Sequence, residues 1–126
     1  MSFHLAEDKD QARREAVHGL HRWHNEYNVW TLGRPGATHV EDKWELLDQA
    51  TGADATAAGA AVVGTPDDLV AAIRHLREIT GGFGVVIGFA HDWANREATM
   101  RSWELVARYV FPEFDGSVTR DRKSVV

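Results

Sequence analysis

The chain has 126 residues, of which 44% are hydrophobic and 26% charged, a balance that fits one soluble globular domain with a real core. Fourteen basic residues against nineteen acidic ones leave a formal charge of -5 at pH 7 and a pI near 5.7, which argues against a nucleic-acid footprint, because phosphate binding needs concentrated Lys and Arg. There is no cysteine, so disulfides and thiolate metal sites are excluded, and with neither a long apolar span nor a cleavable leader readable, no membrane contact and a cytoplasmic location are expected.

Residues 2–6 form a short, mainly apolar stretch that gives way to the charged segment Glu7 to Arg14, a strand running into a helix. Ala12, Ala16, Leu20, Trp23 and Tyr27 recur every three or four residues and mark one face of that helix, which should end before Gly33 and Pro35. Residues 31–41 read as loop. Trp44, Leu46 and Leu47 suggest a short helix ahead of the small-residue stretch 50–60. Ala60 to Val63 is a brief apolar run stopped by Gly64, after which Thr65-Pro66-Asp67-Asp68 supplies an N-cap, a proline at the first helical position and acids in the first turn.

Leu69, Ile73, Leu76 and Ile79 keep helical spacing in the helix that follows, and Gly81-Gly82 ends it. Phe83 to Ala90 is almost wholly apolar without alternation, the pattern of a strand buried on both faces of a parallel sheet. Between Ala94 and Phe111, the positions Met100, Trp103, Val106, Tyr109 and Val110 mark a last amphipathic helix that Pro112 should terminate. Strand, helix, short helix, strand, helix, strand, helix predicts an α/β fold with parallel strands, either an open doubly wound sheet or a piece of a barrel.

Four places invite a functional reading. Gly64-Thr65 opens a helix whose free N–H groups could hold a phosphate, but Thr65 can cap the helix, Pro66 removes a donor, and Asp67 and Asp68 repel anions, so the structural reading is favoured. His91, Asp92 and Trp93 directly follow the third strand, at the end of a parallel strand where ligands bind. There a His can move protons and a Trp can wall a planar ligand, while in the competing reading Asp92 or Asn95 caps the last helix and Trp93 is packing. His18, His21 and His24 rotate around their helix and lack a ligand pattern, so no metal site is expected. His4, inside the first strand, points either at a helix or into a barrel. No catalytic acid or base is identifiable, and the basic group Arg120, Arg122 and Lys123 reads as a solvated terminus.

The runs Val63-Gly64-Thr65-Pro66-Asp67-Asp68-Leu69, Gly81-Gly82-Phe83-Gly84, Ala90-His91-Asp92-Trp93-Ala94, and Glu97-Ala98-Thr99 with Arg101-Ser102-Trp103-Glu104-Leu105 stand in register over residues 62–114. Together they resemble the C-terminal end of bacterial-luciferase-like flavin-dependent monooxygenases, most closely the limonene-monooxygenase-like branch. His4-Leu5-Ala6-Glu7 resembles a late strand and helix of the same proteins, while residues 31–58 match poorly. The resemblance implies a (β/α)8 TIM barrel, of which residues 1–114 would form about the last three βα units and 115–126 a polar tail. A barrel of this type needs roughly 250 residues.

The implied chemistry is oxygenation of a small organic substrate by reduced flavin and dioxygen. FMN is the expected cofactor, with a deazaflavin as the alternative. By position, His91, Asp92, Trp93 and His4 would line the pocket, and most of the flavin contacts would lie in strands this sequence lacks. Such a piece should be inactive alone and should self-associate or be completed by another chain, because parallel strands with open edges and a bare apolar face associate. The alternative is a non-catalytic interaction or oligomerisation module derived from the same barrel.

Overall fold

The computed structural model describes residues 1–52, 61–82 and 84–115. Its elements are β1 (Ser2–Leu5), α1 (Lys9–Arg22) continued by a π-helical segment Trp23–Thr31, α2 (Lys43–Thr51), β2 (Ala61–Gly64), α3 (Pro66–Thr80), α4 (Arg96–Leu105) continued by the π-helical Val106–Val110, and α5 (Phe111–Phe114). The expectation for the stretch 53–60 and the polar tail from 116 lies outside the described residues.

β1 and β2 pair in parallel from Ser2 opposite Ala61 to Leu5 opposite Gly64, and Ala6 N extends the ladder by donating to Gly64 O at 2.9 Å. On the other edge of β1 runs the segment 84–90, also parallel. Phe89 N donates to Met1 O at 2.9 Å, the chain's amino terminus donates to Ile87 O, and Ser2 faces Phe89. The order across the sheet is therefore β2, β1, third segment.

Alternation along β1 and β2 sends neighbouring side chains to opposite faces, and each face has its own core. Ala6, Ala61 and Val63 join Ala12, Ala16, Val17 and Leu20 of α1, Leu46 and Leu47 of α2, and Trp93. Leu5, with Phe3 and Val62 beside it, joins Leu69, Val70 and Ile73 of α3 and Leu105, Val106 and Val110 of the last helix. Helices thus cover β1 and β2 on both sides, a three-layer arrangement.

The expected α/β class and the shared direction of the three apolar segments are observed. Their order is not that of successive staves in a cylinder, which would set the third segment beside β2.

Local chemistry places the helix starts. Asp8 caps α1 by accepting from Gln11 N at 2.8 Å, and Asp42 caps α2 by accepting from Trp44 N at 2.9 Å. Thr65 and Asp68 form a reciprocal capping box on α3. A Cβ at Gly64 would lie 2.2 Å from Asp68 Oδ2, so that box depends on the glycine. Gly81, at φ 77°, supplies the left-handed residue that ends α3.

Three expectations are corrected. Residues 84–90 are not buried on both faces: Val85, Ile87 and Phe89 are 77%, 66% and 57% exposed, and a single bridge to β1 replaces a ladder. Among the described residues the segment pairs along one edge only, and Val85, Ile87 and Phe89 are left uncovered. Phe83 lies outside the described residues.

Helical spacing also overstates burial, since Tyr27, Ile79, Met100 and Tyr109 stand exposed. Finally, Pro112 does not stop the last helix. The N–H of Phe111 reaches back five residues to Val106 O, widening the turn, and Pro112 then sits in the first turn of α5, where a missing N–H costs nothing.

Candidate functional site

The turn after the third segment is held by aromatic contacts. His91 stacks on Trp93 with ring centroids 4.4 Å apart and planes 7° from parallel, and Trp23 meets both rings edge-on at 5.0 and 5.8 Å. His91 Nε2 and Ser2 Oγ are hydrogen-bonded at 2.9 Å, tying the turn back to β1. Partial burial lowers the His91 pKa and outweighs Asp92, which acts the other way; the nearby amino terminus adds to the lowering. The neutral imidazole is accordingly favoured.

Trp93 is buried, and its indole nitrogen has no hydrogen-bond partner among the described residues. It reaches α1 at Gly19, where an ideal Cβ would come within 2.0 Å of Trp93 O, so only glycine lets the helix and the turn approach. Asp92 is exposed and sits 3.6 Å from Arg22 Nη2. It does not cap α4. Asn95 does, accepting from Ala98 N at 2.8 Å.

His4 takes the first of its two expected orientations. It points at α1, 4% exposed, with Nε2 3.0 Å from Glu15 Oε1, while Gln11 Nε2 donates to the other carboxylate oxygen at 3.3 Å. Of the four residues expected to line a pocket, the structure brings His91 and Trp93 together, buries His4 in a polar contact between β1 and α1, and leaves Asp92 in solvent. The phosphate reading of Gly64-Thr65 is closed by the Asp68 carboxylate, which accepts from Thr65 N at 2.9 Å.

His21 and His24 turn to the loop instead of a metal. His21 Nε2 bonds Val40 O at 2.8 Å and His24 Nε2 bonds Thr38 O at 2.8 Å, pinning residues 38–40 to the helix. Among the described residues no group of three or more His, Asp or Glu is placed to hold a metal, and no helix is long and apolar enough to cross a membrane.

A cavity of about 470 Å³ opens on the opposite face of the sheet, between α3, the third segment and α5. Phe3, Trp103, Phe111 and Phe114 wall it, with Arg77 over the Phe114 ring at 5.4 Å. Gly88 makes room for it: a Cβ there would meet Phe3 at 3.0 Å, and Phe3 packs edge-on against Trp103 at 4.9 Å. Its size suits a small ligand. Sequence reading missed this cavity because its walls come from four separated segments, with no motif to join them.

A flavin ring needs an open aromatic face and donors for its phosphate. The faces of His91 and Trp93 turned toward each other are already in contact, Arg22 sits 3.6 Å from Asp92, and Arg101 of α4 is bound to Glu7 at 2.6 Å and Glu104 at 3.2 Å. Arg101 in turn holds the Glu7 carboxyl below the usual range. The residues at this turn can furnish one wall of a pocket, and alone they do not make a flavin site.

No protein-family model matches the chain, and no solved structure does. It is 38% identical over 119 residues to 4-hydroxyprotoasukamycin monooxygenase of Streptomyces nodosus subsp. asukaensis, covering 94% of this chain and 30% of that protein. It is 37% identical over 115 residues to limonene 1,2-monooxygenase of Rhodococcus erythropolis, covering 91% of this chain and 28% of that protein. The chain thus spans less than a third of the length of the curated relatives it matches.

Proposed function

We propose that this chain, a relative of the luciferase-like monooxygenases, is the C-terminal portion of a flavin-dependent enzyme of that family and works only when the rest of the fold is supplied. The observation that carries this reading is the disparity in coverage: 94% of the chain is matched by 30% of a monooxygenase.

In the completed enzyme, reduced flavin would activate dioxygen for transfer of an oxygen atom to an organic substrate. FMN is the favoured cofactor and a deazaflavin the alternative. The part proposed for this chain is to wall and dry the pocket. His91, its neutral form favoured, stacks on Trp93, is tied to Ser2 and stands beside the half-exposed Phe89 ring, an aromatic wall for the pocket. His4 and Asp92 have weaker claims, since one is committed to Glu15 and the other faces solvent.

The exposed apolar residues 85–89 support a second reading, an interaction module without chemistry. Fluorescence titration with FMN, with reduced FMN under exclusion of oxygen, and with a deazaflavin separates the two. It is run on the chain alone and on the chain mixed with the separately expressed remainder of the Rhodococcus limonene 1,2-monooxygenase. The enzyme reading expects saturable binding in the mixture only. A stable monomer that saturates with flavin by itself overturns it, and no binding in either sample favours the module.

A further inference from the structure

The cavity between α3, the third segment and the last helix has the parts of a binding site. Its most buried lining is Leu69 and Ile73 of α3 with Val106 and Val110 of the last helix, none more than 7% exposed. Phe3 and Trp103, held edge to face at 4.9 Å, form one wall, and Phe111 and Phe114 line the side made by α5. Glycine keeps the space open along the third segment. Gly84 has no left-handed φ, and a Cβ there would meet nothing within 4 Å, so neither backbone geometry nor crowding accounts for the missing side chain.

Charge narrows the ligand. Arg77 and Asp115 bring the charged side chains to this lining, and the amino terminus of Met1 is committed to Ile87 O. Arg74, one turn earlier in α3, is bound to Glu113 at 2.8 Å. Arg77 has no ion pair among the described residues and lies over the Phe114 ring at 5.4 Å, which leaves the edge of its guanidinium able to grip a planar anion. Asp115 on the same lining opposes a second negative charge.

We infer that this cavity binds a small aromatic carboxylic acid in its ionised form, the ring among Phe3, Trp103, Phe111 and Phe114 and the carboxylate on Arg77. A volume of about 470 Å³ suits such a molecule, and the aromatic walls offer a ring both edge and face contacts. A neutral hydrocarbon would leave Arg77 unanswered, and a phosphate dianion would meet Asp115. The inference goes beyond the monooxygenase reading and uses only residues of this chain.

The test titrates the full chain with phenylbutyrate, with the neutral phenylbutanol and with dianionic phenyl phosphate, by calorimetry and by the methyl NMR shifts of Ile73, Val106 and Val110. Arg77→Met removes the charge and keeps an apolar stem, and Arg108→Met is the control, a cation of the last helix that does not line the cavity. Both positions are exposed, and circular dichroism establishes that each variant is folded. Wild type and R108M should bind phenylbutyrate alike and saturably, with the three methyl groups shifting. R77M should bind it at least about fivefold more weakly while its affinity for phenylbutanol stays that of wild type, and phenyl phosphate should bind wild type at least about fivefold more weakly than phenylbutyrate. No saturable phenylbutyrate binding by wild type, or binding that leaves the three methyl groups unmoved, overturns the site. R77M binding phenylbutyrate as wild type does, or wild type binding either of the other probes as tightly, overturns the carboxylate assignment. Flavin uptake is read separately, so failure here leaves the monooxygenase parentage standing.

Discussion

β1 has two neighbours of similar composition and opposite fate. β2 lies on one edge with Ala61 and Val63 6% and 4% exposed, while on the other edge Val85, Ile87 and Phe89 stand mostly in water. Both segments are apolar, short and parallel to β1. The difference is what lies above and below them. β2 is sandwiched between α1 and α2 on one face and α3 on the other, and a capping box begins α3 at the next residue. In the third segment Val86 and Gly88 share a cavity with α3 and the last helix, while among the described residues Val85, Ile87 and Phe89 are left uncovered. An apolar run states a demand for burial, and a second layer must exist to meet it.

The comparison can be broken first at its best-packed point. Gly19→Val drives a side chain into the Trp93 backbone, where even a Cβ lies at 2.0 Å, and should cost about 3 kcal/mol or more, read from urea unfolding. Thr65→Ala removes half of the capping box beside β2 and should cost about 1 kcal/mol in the same assay.

Acidification probes the junction between the two regions. Because the folded chain disfavours protonated His91, the unfolded chain binds that proton more tightly. Stability is full above the ordinary imidazole value of about 6.5 and declines as pH falls below it. Thermal midpoints between pH 8 and 5 should show this decline, and H91N should flatten it. The smallest effect belongs to the exposed region: Ile87→Lys should change the stability of the isolated chain by no more than about 0.5 kcal/mol, because Ile87 is 66% exposed.

Much of this was legible from residue types. The Thr65-Pro66-Asp67-Asp68 start of α3, the Gly81 stop, the periodic face of α1 and the four runs that suggested a monooxygenase resemblance all rest on local or nearly local sequence, and the relatives bear that resemblance out. Depth was not legible. The same apolar composition that buries Val63 leaves Val85 in solvent, because burial depends on neighbours distant in sequence.

The candidate site was half readable. Position after a strand singled out His91 and Trp93, but their stacking with Trp23 and the pairing of His4 with Glu15 are contacts across elements. Pro112 misled because a widened turn, invisible in composition, lets the helix restart around it.

Hydrogen exchange of individual backbone amides in the isolated chain tests the central claim most directly, since it reads coverage residue by residue. The Ala6 amide, bonded to Gly64 O, should be protected to the level of global unfolding, and the Val86 and Gly88 amides should exchange close to the unprotected rate. Val86 and Gly88 amides as protected as Ala6 at dilutions where the chain is monomeric would contradict the account, showing a chain that already covers its own third strand.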